Sequence, residues 1–291
     1  MRPARLGWQW RHAARFPANP GVVPHGPNRD RAPPSHGLAT PSPAFIDAGM
    51  PRPPTMRPRR LRLFWPILFF LLGAGMSLLF RQGLVPAALN PLPALDLAEA
   101  DAWLVDWRLS ALKSDPQLCR QVLKEPYIVA EPIPDNPPKQ GCGWINSVRM
   151  TSASGVHAAF DKATCEAAAA LSLWLTHDVQ PIAQEMFGQR VVAIQSMGSY
   201  ACRNIVGNPL WKDIRSEHAA ANALDISGFT LSGGRQIGIL QYWKGTGVEA
   251  RFLRAVHERA CRYFHVVLGP DFNAAHHNHF HLDRGLFWRC K

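Results

Sequence analysis

The stretch His276-His277-Asn278-His279-Phe280-His281-Leu282-Asp283 lies near the end of a 291-residue chain and holds four histidines. In an extended strand, alternate side chains share a face. One face then carries three imidazoles and a carboxylate, and the other is apolar: His277, His279, His281 and Asp283 against Phe280 and Leu282. Neutral imidazole is the commonest metal ligand, and several imidazoles buried together without a metal leave ring nitrogens unpaired. The stretch therefore predicts a strand that is apolar on one side and carries metal ligands on the other.

Partners for these ligands occur upstream, in Ser216-Glu217-His218-Ala219-Ala220-Ala221-Asn222-Ala223-Leu224-Asp225. The seven-residue separation of His218 and Asp225 corresponds to roughly 10 Å on a helix and to more than about 20 Å on a strand. Zinc ligands each lie within about 2 Å of the ion. If both side chains bind one ion, the chain has to turn between them, and the small residues at 219–221 allow a tight turn.

These segments together resemble a known zinc signature. Ser-x-His, followed by Ala223 and Asp225 and far downstream by His-x-His, is similar to the D-alanyl-D-alanine metallopeptidase, lysostaphin and hedgehog superfamily. Within it, the chain most resembles the bacterial extensin-like C-terminal domain family, from about Cys119 to Cys290. Further segments carry the resemblance: Gly141-Cys142-Gly143, Gly198-Ser199-Tyr200-Ala201-Cys202-Arg203, Ala260-Cys261-Arg262 and Leu268-Gly269-Pro270.

The resemblance implies a zinc ion bound by His218, Asp225 and His281, with a fourth position left to water. Three protein ligands and one open position are typical of catalytic zinc, whereas structural zinc sites are closed by four ligands. His281 rather than His279 is the implied ligand, because the superfamily uses the second histidine of His-x-His. The implied fold is a small antiparallel sheet with flanking helices, like that of the hedgehog and D-Ala-D-Ala peptidase proteins.

The resemblance also implies roles for the residues around the ion. His279 becomes the candidate general base, with His276 assisting. Some relatives use the glutamate of a Glu-x-x-His motif as base, and that glutamate is absent here, where Asn278 and His276 stand. Arg203, after the turn at Ser199 and Tyr200, is implied to bind a substrate carboxylate through its planar guanidinium; an arginine on a solvated loop is the alternative. Residues implied to orient the ligands complete the set: Ser216, Glu217 and Asp283.

Position 221 departs from the superfamily pattern, which usually has glycine three residues after the first histidine. Ala221 stands there in this chain. If the position requires a positive φ, the alanine predicts backbone strain in the turn.

The net charge of +11 is concentrated at the N-terminus. Residues 1–62 hold eleven arginines, no lysine and two aspartates, so this segment carries +9 and the rest only +2. A nearly neutral globular part argues against a nucleic-acid groove. Residues 1–60 are also proline-rich without apolar periodicity, which predicts disorder. A functional basic arm is one alternative, and a true start at Met50 or Met56 is another.

Leu63 to Phe80 is an uncharged apolar run, which predicts a transmembrane helix or signal anchor over 61–82. Four arginines precede it and Arg81 alone follows, so the positive-inside rule predicts one pass through the inner (cytoplasmic) membrane, with the globular domain in the periplasm or envelope. A cleaved signal peptide is the alternative, since Val85-Pro86-Ala87-Ala88 offers small residues. A linker with a short helix around Leu97 to Leu112 is predicted over 83–116.

All six cysteines follow the apolar run: Cys119, Cys142, Cys165, Cys202, Cys261 and Cys290. An even number on the exported side of a membrane predicts disulfides formed in an oxidising compartment. The sequence does not choose among the pairings, and the working expectation is Cys119 with Cys142, Cys165 with Cys202, and Cys261 with Cys290. No Cys-x-x-Cys spacing favours a zinc cluster, and free thiols in the core are a further alternative.

Helical and extended patterns alternate in the predicted globular domain, 117–291. Helices are predicted over Thr164 to Phe187, kinked or restarted at Pro181, and over Val248 to Phe264. A strand is predicted over Arg190 to Ala201, and two strands joined at Ser232-Gly233-Gly234 are predicted over Leu224 to Leu240. The proline-rich segment Tyr127 to Gln140 is predicted as an extended loop. This mixture predicts an α+β fold.

Two functions follow from the resemblance. The first is a membrane-anchored, envelope-facing zinc metallopeptidase, similar to D-Ala-D-Ala carboxypeptidases and endopeptidases, that acts on peptidoglycan peptides. The second is a non-catalytic wall-binding or scaffold domain with a structural or vestigial metal site, because ligand residues persist in the hedgehog branch without peptidase activity. Histidines that hold no metal at all are a third possibility.

Overall fold

The computed structural model describes residues 59–81, 84, 93–100, 104–207 and 209–291, with the backbone alone at 59–62, 80 and 81. These residues belong to the second of the two units into which the chain divides, Pro58–Lys291. The segment predicted as disordered lies outside them except for its last two residues. The candidate starts Met50 and Met56 and the candidate cleavage site at 85–88 lie outside them as well.

A helix, α1 (Arg59–Arg81), forms over the apolar run. Its large apolar side chains between Leu63 and Leu79 are exposed, except that of Leu68, which is half-buried. Among the described residues, no helix combines the length and the hydropathy that a bilayer span needs. The transmembrane helix predicted over 61–82 is not confirmed.

Further helices in the described residues are α2 (Val105–Ala111), α3 (Pro116–Val122), α4 (Cys165–Trp174), α5 (Gln180–Phe187), α6 (Ile239–Tyr242) and α7 (Val248–Ala260). The helix expected around Leu97 to Leu112 is thus limited to α2. Leu97 is instead buried in the hydrophobic core together with Leu109 and Leu112. The core therefore includes side chains from the segment predicted as a linker.

Eleven strands occur in the described residues: β1 (Ile128–Pro132), β2 (Asn136–Lys139), β3 (Cys142–Trp144), β4 (Ser147–Ala153), β5 (Val156–Thr164), β6 (Val191–Gly198), β7 (Ala223–Leu231), β8 (Gln236–Gly238), β9 (Val266–Leu268), β10 (Phe280–Asp283) and β11 (Arg289–Cys290). β2 and β3 pair with each other, and the rest form one nine-stranded sheet in the order β1-β4-β5-β6-β7-β10-β9-β11, with β8 beside β7. Neighbours are antiparallel except β5 with β6 and β9 with β11. The fold is α+β as predicted, but the sheet is large rather than small.

The prediction of a loop over Tyr127 to Gln140 is wrong, because β1 and β2 form there. The β-branched residues Ile128 and Val129 pair with β4. Proline cannot donate a backbone hydrogen bond and is tolerated on edge strands. β1 is such an edge strand and ends in Pro132. The prolines of this segment are therefore compatible with strands, and a high proline content did not by itself indicate a loop.

The helix predicted over Thr164 to Phe187 is confirmed, with a change of geometry near Pro181. Thr164 caps α4, a π-helical turn at Leu175–Val179 follows, and α5 continues the helix. Pro181 has no N–H, so the regular bond to the carbonyl four residues earlier is missing, and the π turn contains that carbonyl. The predicted strand β6, the β7–β8 hairpin and the helix α7 are confirmed as well.

The histidine-rich stretch is a strand only in its second half. Phe280 and Leu282 on β10 are buried in the core, as predicted. Before β10, a 3-10 turn at Ala274–His276 replaces the expected strand, because the Asn273 side chain accepts a hydrogen bond from the N–H of Ala275 and so caps the turn. The strand prediction is wrong for 276–279, and His277 is exposed.

Three disulfides form, and two of the three expected pairings are wrong. The bonds are Cys119–Cys165, Cys142–Cys202 and Cys261–Cys290. The first joins α3 to the start of α4, and the second joins the β2–β3 hairpin to the loop after β6, with Cα separations of 5.9 and 5.4 Å. These separations are ordinary for disulfides. Packing between elements distant in sequence decided these two pairs.

Candidate metal centre

Two neighbouring strands bring two of the three predicted ligands together. Asp225 on β7 and His281 on β10 are direct cross-strand partners. Residues directly opposite in an antiparallel pair project from the same face of the sheet. Oδ1 of Asp225 lies 3.0 Å from Nδ1 of His281. The other face of β10 packs into the core, which fixes the direction of the His281 ring.

A tight turn brings His218 to this pair. The Ser216 hydroxyl caps a 3-10 turn, Glu217–Ala220, by accepting a hydrogen bond from the His218 N–H. Ala221 ends the turn with a φ of 54°, and β7 begins two residues later. The turn that the sequence required between His218 and Asp225 is therefore present. Position 221 has the positive φ at which glycine is unstrained and alanine is not.

The three side chains converge on one point. Nε2 of His218 lies 3.1 Å from Oδ2 of Asp225 and 3.1 Å from Nδ1 of His281. One potential ligand atom of each residue lies within 4.8 Å of the others. Two ligand atoms that are each about 2 Å from a tetrahedral zinc ion are about 3.3 Å apart. The observed spacing fits a small cation among them.

The outer nitrogen of each imidazole is bound to an acceptor. Nδ1 of His218 lies 3.1 Å from the backbone oxygen of Ser199, and Nε2 of His281 lies 2.9 Å from Oδ2 of Asp283. These acceptors require N–H groups on the outer nitrogens, so both inner nitrogens direct lone pairs at each other. Two lone pairs at this distance repel unless a proton or a cation lies between them. An outer acceptor of this kind is the usual support of a metal-binding histidine.

The electrostatics of the cluster favour one positive charge. Burial lowers the pKa of His281, but hydrogen bonds with Asp225 and Asp283 outweigh burial and raise this pKa to about 9. Burial raises the pKa of Asp225, but hydrogen bonds from His218 and His281 hold it well below its ordinary range. A cation can supply this charge in place of a proton. The residues present therefore fit a divalent metal ion.

His279 and His276 lie beside the cluster, on the turn that precedes β10. Nε2 of His279 is 3.7 Å from Oδ1 of Asp225, and its Nδ1 is 2.9 Å from the Asn278 side-chain oxygen. The His276 ring centroid lies 5.3 Å from that of His279 and 5.6 Å from that of His281. Burial lowers the pKa of His279 and lowers that of His276 to about 4, so both rings are neutral at pH 7.

Residues 117–291 match the family described as Extensin-like protein C-terminus. The chain belongs to the extensin-like C-terminal family. Comparison with curated proteins and with solved structures finds no match. The six cysteines, the histidine cluster and the cleft that His281 lines all lie within the matched residues.

Of the three residues predicted to bind substrate, only Arg203 lines the cleft beside the histidine cluster. Arg203 lines a cleft of about 400 Å³ that His281 and His276 also line. No hydrogen bond or ion pair joins the Arg203 guanidinium to any residue that the structure describes. The Ser199 hydroxyl donates instead to the backbone oxygen of Lys162. Tyr200 packs edge to face on Trp144, with ring centroids 5.0 Å apart, and faces a second cleft.

The remaining predicted residues support the His218 turn and β10. Ser216 caps the turn, and Asp283 holds both the His281 ring and the N–H of Gly285. Glu217 accepts a hydrogen bond of 2.8 Å from the Asn222 side chain. Burial, followed by the charge of Asp283, raises the pKa of Glu217.

Sequence reasoning missed Asn222. Its side chain is almost fully buried, accepts a hydrogen bond of 2.7 Å from the Thr164 hydroxyl, and donates to Glu217. It therefore ties the His218 turn to the junction of β5 and α4. A single amide within an alanine run was the available signal, because a buried amide needs partners.

Proposed function

We propose that the extensin-like domain is a zinc-dependent peptidase or amidase that acts on peptides of the cell envelope, with peptidoglycan peptides as its substrate class. The observation that carries the proposal is the convergence of His218, Asp225 and His281, the last of which also lines a cleft. The family resemblance of the His/Asp and His-x-His motifs supports a hedgehog-like or D-Ala-D-Ala peptidase-like zinc fold.

The three converging residues would hold the ion. Zinc bound there would supply Lewis-acid activation of water and of an amide carbonyl. The chain itself contributes a firm geometry, because Ser199 and Asp283 fix the orientation of the two imidazole rings. The chain also shields the site partly from solvent, and charges there interact more strongly than in bulk water.

His279 is the proposed general base. Its Nδ1 donates to Asn278, so Nε2 carries the lone pair and faces the cluster. A neutral imidazole at this point can accept a proton from water and then donate it to the leaving amine. His276, neutral and adjacent, assists by keeping the His279 ring in place and by excluding solvent.

Arg203 is the proposed site for a substrate carboxylate. Its guanidinium lines the cleft beside His276 and has no partner among the described residues. A guanidinium can bind a carboxylate through two parallel hydrogen bonds. An anionic group bound there would hold the neighbouring peptide bond at the histidine cluster.

An exported location is part of the proposal. All six cysteines are in disulfides, which form and persist in oxidising compartments such as the periplasm. The four arginines before the uncharged run at 63–80 also favour export of the chain that follows it. Fusing a reporter enzyme that is active only in the periplasm to the C-terminus tests this location.

The direct test is digestion of purified muropeptides by the full chain loaded with zinc, with products identified by mass spectrometry. We expect cleavage by the native protein and none by His281→Ala. No product from either protein would refute catalysis on these substrates. Metal-independent sedimentation with murein sacculi would then favour the scaffold function.

A further inference from the structure

The cleft beside the histidine cluster is larger than the space that a metal ion and one bound water would fill. Its volume is about 400 Å³, within the range of roughly 300–1,000 Å³ that is typical of sites for small organic ligands. His276, His281 and Asp283 are among its lining residues. Most of the other walls come from the loops that follow β6 and β10, at 205–206, 211–217 and 285–289, and from Val266, Leu268 and Phe272. An alanine side chain bound near Arg203 would leave most of this space empty.

These walls are apolar and partly exposed to solvent. Val206, Ile214, Leu286 and Phe287 line the cleft with exposed fractions of 49, 42, 63 and 46%. Phe287 stacks on Trp211 with ring centroids 4.7 Å apart. A contiguous group of exposed apolar side chains around a concave site is typical of a surface that binds an apolar ligand.

A sugar ring fits these walls less well than an apolar side chain. Sugars present several hydroxyl groups, and a buried hydroxyl needs a hydrogen-bond partner. Among the described residues that line the cleft, Ser216 is the only one with a hydroxyl or amide side chain, and it caps the His218 turn. The walls therefore favour an aliphatic or aromatic group.

The charges of the cleft favour an anionic ligand. Its two acidic side chains are engaged within the fold, Asp283 with His281 and Glu217 with Asn222. Its arginines include Arg203, which has no polar partner among the described residues, and Arg289, which lies over the Phe272 ring at 5.4 Å. A carboxylate is the complementary group for this arrangement.

We propose that this cleft is a specificity subsite for a peptide that carries a large apolar side chain next to a carboxylate. The carboxylate binds Arg203, and the apolar side chain packs against Phe287, Trp211 and Ile214. The choice of a peptide as ligand rests on the proposed function. The subsite narrows the substrate class, because peptides that end in alanine alone leave the apolar walls uncovered.

Binding of model peptides to the full chain tests the subsite without requiring turnover. The probes are an acetylated tripeptide acid ending in L- or D-phenylalanine, its alanine counterparts, and the phenylalanine amide. Titration calorimetry is done with zinc and after chelation. We expect one phenylalanine acid to bind at least about tenfold more tightly than the matching alanine acid. The amide is expected to lose most of the affinity that Arg203 provides.

Matched variants locate the effect. Phe287→Ala should remove most of the preference for phenylalanine, whereas Leu240→Ala, an exposed apolar residue on α6 outside the cleft, should leave it unchanged. Arg203→Gln should weaken both acids alike. Equal binding of the phenylalanine and alanine acids overturns the proposal, as does a preference that survives in Phe287→Ala. Self-association that buries this face and excludes the peptides also overturns it.

The two proposals fail in different ways. If muropeptides are cleaved but the peptide acids bind equally, the peptidase function stands and the apolar subsite is refuted. If the phenylalanine preference is observed and maps to Phe287 but nothing is cleaved, the subsite stands and the catalytic function is refuted.

Discussion

Oδ1 of Asp106 lies 3.0 Å from Nη2 of Arg284, which follows the histidine-rich strand directly. Asp106 is on α2, before the family match begins at residue 117. The same oxygen lies 2.6 Å from Nε2 of His265. Arg284 is almost completely buried and also contacts the Ser110 hydroxyl and the Glu166 carboxylate. The segment before the matched residues thus neutralises a charge buried beside the candidate site.

Removing this segment should destabilise the domain. A chain that starts at residue 117 leaves Arg284 without Asp106 and removes Leu109 and Leu112 from the core. Loss of one partner of a buried ion pair costs about 3–5 kcal/mol. We expect a start at 93 to preserve a cooperative urea transition and a start at 117 to abolish it or lower its midpoint sharply. Equal midpoints for the two chains would contradict this role of α2.

Zinc content should depend on the three converging residues. We expect about one zinc per native chain by elemental analysis, and much less in His218→Ala, Asp225→Ala or His281→Ala, because each removes a proposed ligand. Chelation should lower the Tm of the native chain, since a bound ion stabilises only the folded state. His277→Ala is the control, because that ring is exposed and outside the cluster. Zinc loss in the control equal to that in His281→Ala would argue against the assigned site.

A substitution at His279 should affect catalysis without affecting metal binding. If His279 is the general base, His279→Ala should lower kcat by about 10²- to 10⁴-fold, as loss of general-base catalysis does. Zinc content should stay near that of the native chain. The measurement is the pH–rate profile on a cleaved muropeptide, together with elemental analysis of the same sample. A variant that keeps full activity would exclude His279 as the base.

The positive φ at position 221 predicts an unusual sensitivity to side-chain branching. Ala221 and Ala223 are both fully buried, but only Ala221 has a φ of 54°. Overpacking should affect valine at both positions, whereas a β-branched side chain is additionally disfavoured by the left-handed backbone at 221 alone. Ala221→Val should therefore lower the free energy of unfolding more than Ala223→Val does, measured by urea denaturation. A larger loss in Ala223→Val would contradict the left-handed turn.

A buried histidine outside the cluster, packed on the Phe280 ring, predicts a pH dependence of stability. Burial among Trp243, Phe280 and neighbouring groups lowers the pKa of His257 from 6.5 to about 4. The unfolded chain binds this proton more readily than the folded chain, so the stabilising contribution is complete above pH 6.5 and is lost as pH falls toward 4. The loss is on the order of 3 kcal/mol.

The variant His257→Gln does not titrate, so its stability should vary less with pH over this window. Urea denaturation at several pH values between 6.5 and 4 measures the difference between the two proteins. Identical pH profiles would show that His257 is already protonated in the folded chain or is not buried.

The sequence by itself determined which residue types meet at the candidate site and what elements carry most of them. Alternation fixed the apolar face of β10, helical periodicity fixed α4 and α7, and the Ser232-Gly233-Gly234 turn fixed the β7–β8 hairpin. The seven-residue gap between His218 and Asp225 required a turn whatever the rest of the fold. Each of these follows from contacts that are local along the chain.

The tertiary structure alone decided which cysteines pair and which residues surround the candidate site. Cys119 pairs with Cys165 and Cys142 with Cys202, because helix and hairpin packing sets which thiols are neighbours. The turn at 274–276 follows from the Asn273 cap, and the apolar cleft brings together residues far apart in sequence. Burial of Arg284 beside Asp106 joins residues 178 positions apart. Such contacts depend on the whole sheet being assembled, and a local pattern does not specify them.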